Sequence, residues 1–142
     1  MYKDILLALD INDEATWHKA LPVADELRRN FAANLHVLTV VPDFGMSIVA
    51  QHFPADFEKK ALAEAKARLE ALVGENLDDL GNVRLVVEQG SVHKEIVAAA
   101  KLVGADLIVI SSSKPGLQDY LLGPNAAQVV RQAESSVLVV RD

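Results

Sequence analysis

Four polar residues, Ser111-Ser112-Ser113-Lys114, follow directly on the apolar run Leu107 to Ile110. A Pro115-Gly116 turn comes next, and Gly123-Pro124 then opens a helical pattern. Hydroxyls, an ammonium group and the unpaired N–H groups of a helix start are the groups that hold phosphate. The other chemically useful residue is Asp10, at the end of the run Ile5 to Leu9. A carboxylate there can accept hydrogen bonds from ribose hydroxyls. Every one of these residues also has a plainer role. Asp10, Asn12 or Asp13 can cap a helix, the serines can form a polar loop, and Lys114 can be a solvated charge. Pro115-Gly116 is first of all a turn, and Gly123-Pro124 a helix start. Only a fold that brings the two strand ends together would raise the binding role above these.

The elements needed to do so are legible. Ile5–Leu9, Leu35–Val41, Val83–Val87, Leu107–Ile110 and Val137–Val140 are short, rich in branched residues and nearly continuously apolar. Such runs suit parallel strands covered on both faces. Helical periodicity fills the gaps: residues 14–33, with Pro22 expected to kink or restart the helix; Phe57 to Val73; His93 to Leu102, with Ser91 as N-cap and Gly104 as terminator; and Pro124 to about Ala133. The alternation predicts an α/β fold, an open five-stranded parallel sheet of Rossmann-like type, as a single domain over residues 1–142. With strand order 3-2-1-4-5, ligands bind between strands 1 and 4, where the order reverses. Two strand ends, Ala8-Leu9-Asp10-Ile11-Asn12-Asp13 and Ile110 to Lys114, then face the same crevice. The stretch Pro42 to Ala55 is long and apolar for a loop and predicts a lid, a subunit contact or a short packed helix.

Composition narrows the function classes. A net charge of −6 argues against nucleic acid or an anionic membrane as partner, since either requires a basic patch. The densest basic pairs, Arg28-Arg29 and Lys59-Lys60, sit beside acids in helical patterns and read as solvated faces. No apolar run approaches the roughly 20 residues of a membrane span, and the N-terminus lacks a signal-peptide pattern. With no cysteine there is no disulfide framework and no thiolate chemistry. A cytoplasmic protein is the expectation. His18, His36, His52 and His93 fall in separate elements without metal-ligand spacing; His36 reads as a satisfied strand residue and the others as surface. P-loop, dinucleotide-fingerprint and serine-elbow motifs are absent, and no pair of acids stands out as an acid/base couple.

Taken in order along the chain, these features resemble the universal stress protein superfamily. The resemblance is carried by Ile5-Leu6-Leu7-Ala8-Leu9-Asp10, by Leu35 to Val41, and by Glu88-Gln89-Gly90-Ser91 followed by Glu95-Ile96. It continues through Ala105 to Ile110, Leu121-Leu122-Gly123, and Val137 to Arg141. Members that bind ATP look like G-x-x-G followed at a fixed distance by G-[ST]. Here Ser111 and Lys114 occupy the first two glycine positions, the spacing to Gly123 is one residue short, and Pro124 replaces the hydroxyl. The loop is more similar to a shorter-loop branch of the family, the F/G type, in which Ser-His-Arg-Pro is typical. Lys114 then stands where an arginine would face phosphate.

The resemblance implies a stress-response protein that is not an enzyme, with slow ATPase activity a weaker third reading. It implies ATP, with magnesium arriving on the nucleotide, held between strands 1 and 4. Asp10 would hold ribose and the backbone around Val40 the adenine. Lys114, Ser112, Ser113 and the helix start at Gly123, Pro124, Asn125 and Ala126 would hold the phosphates. Ser111 and Lys114 stiffen a backbone that glycine would leave free, and Pro124 removes one N–H. Each lost neutral hydrogen bond costs on the order of 1 kcal/mol, so weakened or altered nucleotide binding is expected. The family commonly pairs its last strand across a dimer, which implies a homodimer or homotetramer. The alternative is a nucleotide-free dimeric interaction module.

Overall fold

The computed structural model describes residues 1–41, 56–112 and 123–141. It contains β1 (Asp4–Ala8), a 3-10 turn (Glu14–Thr16), α1 (Ala20–Phe31), β2 (Asn34–Val41) and α2 (Phe57–Asn76). These are followed by β3 (Val83–Gln89), α3 (Val92–Val103), β4 (Leu107–Ser111), α4 (Pro124–Gln132) and β5 (Ser136–Val140). All strand pairs are parallel, and the sheet order is β3-β2-β1-β4-β5. The expected α/β architecture and strand order are therefore observed. The Pro42 to Ala55 loop, Ser113, Lys114 and Gly116 lie outside the described residues.

Continuous apolar strands are explained by the two cores. Ile5, Leu7, Leu35, Val37, Leu107 and Val109 face α1 and α2, meeting Leu21, Ala24, Leu69 and Val73. Leu6, Ala8, Leu38, Ile108 and Ile110 face α3 and α4, meeting Ile96, Ala99, Ala126 and Val129. Alternate residues point to opposite faces, so a strand buried on both must be apolar at each position. A fully buried Leu or Ile contributes about 1.5–3 kcal/mol, which makes β1, with Ile5, Leu6 and Leu7 wholly buried, the apolar axis of the sheet.

The helix ends meet some of these expectations and depart from others. Residues 14–33 do not form one helix: the 3-10 turn ends at Thr16 and α1 starts afresh at Ala20. Pro22 thereby falls in the first turn of α1, where an N–H has no intrahelical partner to lose. Ser91 holds the N-cap position of α3 with extended backbone but makes no side-chain cap bond; its carbonyl accepts from the Glu95 N–H at 2.9 Å. Gly104 ends α3 in the left-handed conformation, φ 68°, that glycine adopts without penalty.

Arg28 corrects the reading of Arg28-Arg29 as a solvated pair, because it is 4% exposed. Its guanidinium donates to Asp25 Oδ1 (Nη2, 2.6 Å; Nε, 3.0 Å), to the Asp79 carbonyl at 2.8 Å, and to the Gly81 carbonyl. Arg29 Nε donates to the other Asp25 oxygen at 3.0 Å from a largely exposed position. The pair Asp25–Arg28 thus fastens α1 to the loop that enters β3. Lys60 does behave as expected, pairing with Asp56 at 3.2 Å in solvent. His36 is buried, and its Nε2 lies 3.1 Å from Asp4 Oδ1, which also accepts from Asn34 Nδ2 at 3.1 Å. His18 is exposed, as expected, whereas His93 is half-buried, with Nδ1 making no hydrogen bond among the described residues. His52 lies outside them.

Two expectations follow. Arg28→Ala leaves Asp25 and two carbonyls short of a donor, and should lower unfolding free energy by about 3 kcal/mol in urea titrations followed by circular dichroism. Burial pushes the Asp25 carboxyl up, but hydrogen bonds from Arg29 and Arg28 outweigh it and leave the pKa lowered. The His36 hydrogen bond, opposed by burial and aided by Asn34, lowers that of Asp4. Carboxylates with depressed folded values contribute stability above their unfolded pKa, about 3.9. Chemical-denaturation midpoints should therefore hold steady down to about pH 5 and fall progressively below pH 4, with Asp25→Asn flattening that acid limb.

Candidate functional site

The crevice is fixed by pairing. Ala8 of β1 lies opposite Leu38 of β2 on one side and Ile110 of β4 on the other. Beyond β1 the chain turns one way to β2 and β3 and the other way to β4 and β5, so the carboxyl ends of β1 and β4 diverge into loops of opposite sense. A cavity of about 140 Å³ occupies this point.

Ten of the thirteen residues singled out in the sequence are described, and all ten line this one cavity. Ala8, Val40 and Ile110 contribute strand residues to its floor. Asp10 comes from the loop after β1, and Ser111 and Ser112 from the end of β4. Gly123, Pro124, Asn125 and Ala126 bring the first turn of α4. Gly123 is the N-cap, with no side chain to offer, and Pro124 is the first helical residue. The N–H groups of Asn125 and Ala126 belong to the first turn, which has no intrahelical acceptors. The other three, Ser113, Lys114 and Gly116, are outside the described residues.

Six further residues line it: Leu9 and Asp13 belong to the strand end 8–13 that the sequence already placed at the crevice, whereas Thr16, Leu38, Val92 and Ile96 escaped the sequence reading. Val92 and Ile96 sit four apart on α3, so helical periodicity could have placed both on the face toward the sheet. Thr16 gave no such signal, because its role depends on the 3-10 turn. Its Oγ1 accepts from the Asp10 N–H at 2.8 Å and lies 2.7 Å from the Asp13 carbonyl, to which it donates. Asp10 does not cap α1; its Oδ1 accepts from the Asn12 N–H at 2.8 Å. Asp13 Oδ1 caps the 3-10 turn, accepting from the Ala15 N–H at 3.1 Å. Ser111 Oγ donates to the Ala15 carbonyl at 3.1 Å, tying the end of β4 to the β1 loop.

The cavity is chemically asymmetric. Ala8, Leu38, Val40, Ile96 and Ile110 make an apolar floor suited to a planar ring. Ser111, Ser112, Asn125 and the α4 amino end make a polar margin. Asp10 and Asp13 are the charged side chains among its described lining residues, and neither makes an ion pair with a described residue. No group of three or more histidine, aspartate or glutamate side chains among the described residues is placed to hold a metal ion. None of the described helices is long and apolar enough to cross a membrane.

Comparison with known proteins places this architecture. The chain is 35% identical to universal stress protein G of Escherichia coli, across 99% of this chain and all of that protein. A universal stress protein of Methanocaldococcus jannaschii is 28% identical over 99% of this chain and 96% of its own length. Its solved structure superposes with a TM-score of 0.74 at 29% identity, covering 100% and 97% of the two chains. A universal stress protein solved in complex with cAMP shares the fold, with a TM-score of 0.61 at 24% identity and coverage of 99% and 97%. The family model described as the universal stress protein family matches residues 1–141. Sheet order, crevice and sequence agree, and the chain belongs to the universal stress protein family.

Proposed function

We propose that this chain is a regulatory stress protein of the cytoplasm that binds an adenine nucleotide, ATP, in the crevice between β1 and β4. The observation that carries the reading is convergence. Segments 8–16, 38–40, 92–96, 110–112 and 123–126 are separate in sequence and line one cavity where the strand order reverses. The apolar floor would take the adenine beside the Val40 backbone, and Asp10 would hold ribose hydroxyls. The Asn125 and Ala126 N–H groups, Ser112, Ser113 and Lys114 would meet the phosphates. Another protein of this fold was solved with cAMP, so the fold accommodates an adenine nucleotide.

The cavity fits such a ligand in kind. At about 140 Å³ it is smaller than a typical ligand pocket of 300 Å³ or more, so it would hold part of the molecule, with phosphates extending past Ser112 and Gly123. Pro124 contributes no N–H, and the next two residues of α4 carry the anion-binding role of a helix start. Magnesium would enter on the phosphates. The proposed role is ligand-dependent regulation rather than turnover.

We further propose a homodimer formed along β5, the sheet's edge. Leu138 on β5 and Val130 on α4 are exposed apolar residues at that side, and an unpaired apolar edge invites a second strand. Dimers could pair further into tetramers.

Calorimetric titration with millimolar ATP and magnesium should give saturable binding, and no heat together with no bound mass in native mass spectrometry would overturn the reading. Asp10→Ala and Lys114→Ala should each weaken ATP by roughly tenfold or more, the loss of a hydrogen bond to a charged group. Unchanged affinity in either variant would remove that residue from the site. Leu138→Lys should shift sedimentation from dimer toward monomer, since charge on an edge strand opposes pairing.

A further inference from the structure

Asp13 is the lining residue whose chemistry the nucleotide reading leaves unused. The sequence placed it in the strand end facing the crevice and offered it as a cap, and it does cap the 3-10 turn through Oδ1. Its other oxygen makes no hydrogen bond or ion pair with a described residue, and it is half-buried. Asp10, which is exposed, likewise has one oxygen on the Asn12 N–H and no ion pair among the described residues. The described wall therefore carries two carboxylates and no lysine, arginine or histidine. Facing them is the α4 start, worth roughly half a positive charge.

Resting on the nucleotide reading above, we propose that Asp13 sets a charge limit on this cavity. It favours the nucleotide whose phosphate charge magnesium has partly neutralised over the bare polyphosphate. Asp13 and the α4 start line the same cavity, and an electrostatic field extends about 10 Å at moderate ionic strength. Asp13 is half-buried, so its field at a phosphate chain is screened less than that of a fully solvated carboxylate. Adenosine carries no charge and does not feel that field. The limit thus acts on the phosphates alone, and it separates Asp13 from Asp10, whose proposed ribose contact serves every member of the series.

Asparagine tests this cleanly, because it keeps the capping oxygen and removes the charge; serine does the same with a shorter side chain. Calorimetry at fixed ionic strength would compare wild type, Asp13→Asn and Asp13→Ser with adenosine, with ATP in EDTA, and with ATP in magnesium. Both variants should bind ATP in EDTA about tenfold more tightly than wild type, with adenosine affinity changed by less than about twofold. The advantage that magnesium confers should shrink by the same factor. Equal changes for adenosine and ATP would show Asp13 acting through the loop and overturn the charge limit alone, as would unchanged ATP affinity in EDTA. If wild type and both variants bind none of the three ligands, the nucleotide reading falls, and this proposal falls with it.

Discussion

The parallel pairing of β1 with two neighbours is the constraint on which the remaining structure depends. β1 is short, yet it is hydrogen-bonded to β2 on one side and β4 on the other, with Ala8 registered against both Leu38 and Ile110. Parallel neighbours demand crossover connections, and the helices that supply them must cover both faces of the sheet. The middle of the three central strands is therefore buried, and their carboxyl end is the place where loops of opposite sense separate. The crevice follows from the pairing and needs no special local device. A substitution that shifted β1 by a single residue would exchange the two apolar faces and move Ala8 out of the floor.

Hydrogen bonds at that end convert a gap into a shaped wall. Thr16 bridges Asp10 and Asp13, Ser111 reaches the Ala15 carbonyl, and each acid uses one oxygen on a nearby N–H. The loop after β1 is consequently self-supporting before any ligand arrives. Preorganisation of this kind reduces the ordering cost of binding. Asp13 is thereby held half-buried in the wall, with Asp10 at its exposed margin.

Much of this was legible in the sequence, for identifiable reasons. Strands buried on both faces leave unbroken apolar runs, so β1, β2 and β4 declared themselves. Pro124 and Gly104 mark helix ends through backbone chemistry that hardly depends on context. Ala8, Asp10, Ile110 and Gly123 could be placed at one crevice because parallel topology fixes which strand ends meet. What stayed hidden depends on tertiary partners. Arg28 looks like any surface arginine until Asp79 and Gly81 arrive from a distant loop to bury it. Pro22 announced a kink or restart within residues 14–33, but the 3-10 turn before Ala20 reflects the Thr16 and Asp13 bonds rather than periodicity. Thr16 itself has no signature, because its hydroxyl serves backbone groups that only the folded loop brings near.

The Asp25–Arg28 clamp and the Asp4–His36–Asn34 cluster both lie at the amino end of the sheet, away from the crevice. Polar fastening and ligand contact thus occupy opposite poles of one molecule. Mutations accumulating in the loops at the carboxyl pole leave those fastenings untouched, and substitutions more than about 10 Å apart without shared partners combine nearly additively. A lineage built on this scaffold can therefore drift from one small ligand to another, or lose its ligand, without crossing a valley of unfolded intermediates.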